Sequence, residues 1–220
     1  MALRLFLDSA DPRDWAAWLP SGLFHGVTTN PTLLRRVDRP CSLESLTTLT
    51  RQALDLGCRE VHLQAWGQDA DTLESCGRAL AGLAPEQVLV KVPISRPGAA
   101  AAARLIGSGI RVTFTACYAL PQVLVAAALG ADYIAPYLGR LHDLGRDGSG
   151  EVVAMQRCAR NLGSPLRVLV ASLRRSTEMG LLATEGLDTF TISAAVAAEL
   201  LACPETEEAA ARFEQDAAAG

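Results

Sequence analysis

Eight short apolar runs recur along this chain, and between them lie longer segments of helical periodicity. The runs are Leu3–Leu7, His25–Thr28, Glu60–Gln64, Val88–Val92, Ile110–Thr113, Tyr133–Ala135, Val168–Ala171 and Thr189–Ile192. They are rich in Val, Ile, Leu and Phe, as strands buried on both faces are. The intervening segments include Leu43–Leu56, Ala70–Leu83, Pro97–Ile106, Tyr118–Leu129, Val152–Asn161 and Thr177–Thr184. Gly57, Gly107, Gly130, Gly163 and Gly186 stand where these helices should stop. This alternation predicts a parallel α/β architecture. Two things favour a closed (β/α)8 TIM barrel over an open doubly wound sheet. There are eight repeats, and polar residues end many different strands: Asp8, Thr28, Thr29, Asn30, Gln64, Lys91, Thr115, Tyr137 and Ser172. In a barrel such residues converge on one mouth. No linker divides the chain, so residues 1–220 read as a single domain. Residues 204–220 form an extra C-terminal helical tail (ETEEAAARFEQD) with a frayed end.

Composition narrows the function classes. The net charge of −4 and the scattered basic residues argue against a nucleic-acid partner. No apolar run approaches the ~18 residues of a membrane helix, and the N-terminus has no signal-peptide pattern. A cytoplasmic protein is expected. The six cysteines lack metal-ligand or C-x-x-C spacing and read as reduced, mostly buried thiols.

Of the 20 basic residues, 19 are arginine and one is lysine, Lys91. A biased composition explains the arginines but not the single lysine. Guanidinium stays protonated, so Arg cannot stand in where a neutral amine is required. Lys91 lies in VLVKVPIS, on a strand of apolar neighbours. Burial there lowers an amine's pKa, and a neutral amine at a strand end is what attack on a carbonyl needs. A lysine buried against a carboxylate such as Asp8 is the competing reading.

In GVTTNP, Asn30 before Pro31 reads as a helix cap, and Thr28, Thr29 and Asn30 could also orient substrate hydroxyls. Arg140, Ser172 and Arg174 follow two later strands and could clamp a phosphate; solvated or salt-bridged arginines are the alternative. No P-loop, dinucleotide fingerprint or calcium loop is present. His25, His62 and His142 belong to different elements, so a metal site is not expected.

Seven segments together resemble the small transaldolase family, and within it the fructose-6-phosphate aldolase-like members. They are LFLDSAD, GVTTNPTLL, VLVKVPIS, GIRVTFTACY, GADYIAPYLGRLHDLGRDG, VLVASLRR and ARFEQD, in the family's order over nearly the whole chain. The resemblance implies a Schiff base on Lys91, with Asp8 positioning lysine and substrate. It implies that Asn30, with Thr28 beside it, binds substrate hydroxyls, that Thr115 holds a catalytic water, and that Arg140, Ser172 and Arg174 hold phosphate. Gln64 and Tyr137 resemble the aldolase branch, with Tyr137 as general acid/base through a water held by Gln64 and Thr115.

The expected reaction is reversible cleavage of fructose 6-phosphate to dihydroxyacetone and glyceraldehyde 3-phosphate. Transfer of the dihydroxyacetone unit between sugar phosphates is the alternative. GRLHDLGRDG leans toward the transferring relatives, and Trp66 is bulkier than expected and narrows the donor pocket. The resemblance also implies sugar phosphates as small-molecule partners, no cofactor, and a homo-oligomer, pentamer or decamer, built through the Phe213-bearing tail. Two readings of other classes are a pyridoxal-phosphate enzyme anchored on Lys91 and a non-catalytic sugar-phosphate-binding barrel.

Overall fold

The computed structural model of the protein describes residues 2–219. Its strands are β1 (Arg4–Asp8), β2 (Gly26–Thr28), β3 (Glu60–Gln64), β4 (Val88–Pro93), β5 (Val112–Cys117), β6 (Tyr133–Pro136), β7 (Arg167–Val168) and β8 (Thr189–Ile192). All pair in parallel in the order β7-β6-β5-β4-β3-β2-β1-β8. A bridge between Val170 and Phe190 joins the two ends, so the sheet closes as a (β/α)8 barrel. The helices are α1 (Pro12–Trp18), α2 (Pro31–Arg36), α3 (Leu43–Asp55), α4 (Ala70–Ala81), α5 (Arg96–Gly107), α6 (Gln122–Leu129), α7 (Leu138–Asp143), α8 (Gly148–Asn161), α9 (Ser176–Thr184), α10 (Ala194–Leu201) and α11 (Pro204–Ala219).

Two apolar cores follow from the period-2 alternation of the strands. On β4, Val88, Val90 and Val92 face outward into the large core shared with the helices. Leu89 faces inward, with Phe6, Tyr133, Ala135, Leu169 and Ala171, into the barrel's interior. The next inward position above Leu89 is Lys91. The same step leads from Phe6 to Asp8, from His62 to Gln64, from Thr113 to Thr115 and from Ala135 to Tyr137. The mouth is therefore the top layer of a packed interior.

Several boundaries differ from expectation. The fifth strand begins at Val112 rather than Ile110, because Gly109 takes φ +79° and the Ile110 N–H turns back to the Leu105 carbonyl. That helix ends at Gly107, as expected, and Gly109 makes the left-handed turn that follows it. Thr115 lies within the strand and not beyond it. The sixth helix starts at Gln122, since the Gln122 side chain accepts from the Tyr118 and Ala119 N–H groups and holds them as a loop. Regular pairing of the seventh strand covers only Arg167–Val168; Val170 and Ala171 make single bridges to β8 and to Tyr137. The tail helix runs to Ala219 and buries none of its side chains. No described helix is long and apolar enough to cross a membrane.

Candidate active site

A cavity of about 700 Å³ opens at the C-terminal ends of the strands. Asp8, Asn30, Gln64, Lys91, Thr115, Tyr137, Arg140 and Ser172 line it, so eight side chains singled out in the sequence meet there. Lys91 is 5% exposed. Its Nζ donates to the Thr29 carbonyl at 2.9 Å, and no carboxylate lies within ion-pair distance of it among the described residues. Burial pushes its pKa below the usual lysine value, and the charge of Asp8 offsets part of that shift. The amine is held by a neutral acceptor in a buried position, which favours its nucleophilic form.

The Asp8 carboxylate accepts from Thr28 Oγ1 at 2.6 Å. Thr28 Oγ1 also lies 2.6 Å from Thr191 Oγ1. Thr28 has one hydroxyl hydrogen and gives it to the carboxylate, so Thr191 is the donor of the second bond. This relay from β8 through β2 fixes Asp8. Gln64 pairs in register with Lys91, and its Nε2 donates to the Ala65 and Lys91 carbonyls at 3.0 and 3.1 Å. Its Oε1 is then left as an acceptor. Thr115 Oγ1 and the Tyr137 hydroxyl lie 2.8 Å apart. Ala116, at φ +55°, puts a bulge between the Phe114 and Cys117 pairings, which turns both Thr115 and Ala116 onto the cavity.

Asn30 does double duty. Its Oδ1 caps α2 by accepting from the Leu33 N–H at 3.0 Å, and its side-chain NH₂ has no partner among the described residues. The Arg140 guanidinium stacks 5.4 Å from the Tyr137 ring centroid and makes no ion pair among the described residues, so its donors are free for an anion. Ser172 beside it adopts φ +61°, a conformation non-glycine residues rarely take and one common at functional sites.

Three expected substrate contacts stand elsewhere. Thr28 and Thr29 do not line the cavity; they are buried under it and hold Asp8 and Lys91. Arg174 also lies off the cavity, with its guanidinium paired to the Asp143 carboxylate. The salt-bridged reading therefore fits Arg174, and the free-cation reading fits Arg140. Sequence reasoning missed Thr191 and Ser193, which line the cavity from the end of β8. The rule that polar residues end the barrel strands would have found them. It also missed Arg36 and Tyr118 on the rim, which sit in loop and helix positions with no pattern to mark them.

A (β/α)8 barrel with one buried, unpaired lysine at its mouth has the layout of a class I aldolase. The comparisons place the chain more narrowly. Residues 5–220 match the family model described as Transaldolase/Fructose-6-phosphate aldolase. A relative named "Probable transaldolase" from Caulobacter sp. (strain K31) is 34% identical over 97% of this chain and 96% of its own length. Another of the same name from Thermus thermophilus is 33% identical over 97% of both chains. A solved structure described as "Native KDPGal structure" superposes with a TM-score of 0.61 at 13% identity, covering 88% of this chain and 82% of that one, which supports the fold alone. The chain belongs to the transaldolase/fructose-6-phosphate aldolase family and is an enzyme of the class I aldolase type.

Proposed function

We propose that the protein transfers a dihydroxyacetone unit between sugar phosphates through a Schiff base on Lys91. The observation that carries this reading is the lysine itself: buried, held by the Thr29 carbonyl and in no ion pair among the described residues. The amine adds to C2 of a ketose phosphate, and the carbonyl oxygen leaves as water. The C3–C4 bond then breaks as the C4 hydroxyl loses its proton toward the Thr115–Tyr137 pair, through a water held with Gln64. The electrons of that bond flow into the iminium and leave an enamine on Lys91. Arg140 and Ser172 hold the departing aldose phosphate, Asn30 and Asp8 the donor hydroxyls. Attack of the enamine on a second aldose phosphate, followed by hydrolysis, completes the transfer.

From the residues alone, cleavage stands first and transfer second; the names of the relatives reverse that order. Cleavage remains the second reading because of Gln64 and the Thr115–Tyr137 pair, which form a proton-handling group beside the lysine. Protonation of the enamine by that group returns the iminium, and its hydrolysis by water breaks the C–N bond and releases free dihydroxyacetone.

Borohydride trapping with fructose 6-phosphate tests the Schiff base. With a single lysine, intact mass and peptide mapping should find a dihydroxyacetone-sized adduct on the Lys91 peptide. No adduct from fructose 6-phosphate or dihydroxyacetone would reject the covalent mechanism and leave the binding-barrel reading. Transfer requires erythrose 4-phosphate as acceptor for rapid turnover; cleavage proceeds equally well without it.

The unburied α11 and the exposed Phe213 support a homo-oligomer, pentamer or decamer, assembled through the tail. Light scattering should give that mass, and a monomeric peak would reject it.

A further inference from the structure

Trp66 lines two cavities at once. One is the barrel mouth; the other is a side cavity of about 550 Å³ between the start of α3 and the face of α4. Leu43, Thr72, Ser75, Cys76 and Ala79 wall the side cavity, and Asp69 stands at its edge. The backbone at Trp66 is fixed from two sides. Its N–H meets Cys76 Sγ at 3.5 Å. A Cβ on the following Gly67 would come within 2.8 Å of the Leu73 backbone nitrogen, so the loop lies flat on α4. The indole N–H makes no hydrogen bond to the described residues, and the side chain, 38% exposed, stands where the two cavities meet.

The barrel order decides which end of the substrate meets this side chain. Trp66 follows β3, which faces β7 across the barrel. Ser172 follows β7, and Arg140 follows the adjacent β6. Trp66 also lies two residues beyond Gln64, the register partner of Lys91, and lines the same mouth cavity as the lysine. A ketose bound through C2 at Lys91 with its phosphate toward Arg140 and Ser172 points its C1 end at the indole.

We propose that Trp66 sets the donor size by shutting the side cavity, so that only small groups, hydroxymethyl or methyl, fit at C1. This deepens the Schiff-base reading and rests on it. With the indole gone, the side cavity becomes a subsite for an unbranched alkyl group on C1. Leu43, Ala79 and Cys76 offer it apolar surface, and the Asp69 carboxylate disfavours an anionic substituent there.

The test compares the initial rates at which Lys91 is trapped by hydroxyacetone and by 1-hydroxy-2-pentanone. In each case Nζ bonds to the ketone carbon, water leaves, and borohydride delivers hydride to the C=N bond. Burial of a methylene is worth about fourfold, so two should raise the pentanone-to-hydroxyacetone ratio roughly 15-fold in Trp66→Ala relative to the unmodified protein. The double variant Trp66→Ala/Ala79→Leu refills the side cavity and should return the ratio to its starting value. An unchanged ratio in Trp66→Ala, or a gain that survives Ala79→Leu, overturns the proposal. If the alanine variant does not fold, Trp66→Leu, which keeps more apolar bulk, takes its place: a raised ratio supports the proposal and an unchanged one overturns it. Dihydroxyacetone trapping by the unmodified protein separates the two readings: an adduct there with no change of ratio sinks only the role of Trp66, while its absence sinks the Schiff base as well.

Discussion

Lys91 occupies a buried position that costs the fold stability, and on the proposed mechanism the same burial makes its amine reactive. Its folded pKa is depressed by burial, whereas the unfolded chain takes up a proton near the ordinary value of ~10.4. Below the unfolded value the unfolded state therefore binds more protons, and stability rises with pH from the folded pKa up to that point. Lys91→Met keeps a flexible chain of similar length and removes the amine. Calorimetry at neutral pH should show a higher Tm, while activity falls by about a million-fold, the scale of losing a covalent nucleophile. A lower Tm would mean that the lysine serves the structure, as the carboxylate-paired reading holds. The sequence exposed this residue because it is the only lysine. It could not show that the partner is the Thr29 carbonyl and not the Asp8 carboxylate, since that choice depends on side-chain torsions at the top of three strands.

Elements carry the site by alternation, and this is what made most of it readable. Asp8, Gln64, Lys91, Thr115 and Tyr137 each stand two residues above an inward-facing neighbour, so a strand placed correctly places its reactive residue. The exceptions are backbone irregularities. Gly109 and Ala116 moved the bounds of β5, and Ser172, in the segment after β7, takes a left-handed conformation; none of these has an apolar signature. The turn at Arg140 depends on a further irregularity. The Gly139 N–H donates to the Ser172 carbonyl at 3.0 Å, and a Cβ on Gly139 would lie 2.3 Å from that oxygen. Gly139→Ala must push α7 away from Ser172, at a cost of about 1–3 kcal/mol, and it shifts Arg140 one residue on. The expected result is a raised KM for phosphorylated aldehydes, with borohydride trapping of phosphate-free ketones on Lys91 unchanged. Equal losses for both ligand types would assign Gly139 to general stability instead.

Across the whole molecule the two ends of the barrel divide the work, as the fold allows. At the floor, opposite the mouth, Glu60 gathers a polar cluster that the sequence scattered over three strands and two loops. It accepts from Tyr133 at 2.6 Å, Arg111 at 2.9 Å and Arg4 at 3.1 Å, with the His25 and His62 imidazoles each 3.5 Å away. Burial alone would raise the Glu60 carboxyl, but hydrogen bonds from His25, His62 and Tyr133 outweigh it and hold the group well below the carboxylate range. His62 is fully buried, and burial pushes its pKa down to about 4. As pH falls from ~6.5, the unfolded histidine takes a proton that the folded one refuses, so stability drops across the window between ~6.5 and about 4. The difference between those values corresponds to about 3 kcal/mol. Below ~4.3 the protonation of Glu60 in the unfolded chain adds a second loss of the same sign. Urea unfolding at pH 7.5, 6, 5 and 4.5 should therefore show a falling midpoint before most carboxylates titrate. His62→Gln, which keeps a polar group facing Thr113 and Glu60 but cannot take the proton, should flatten that fall even where it lowers stability throughout. An undiminished slope in the variant would move the pH sensitivity away from the barrel floor.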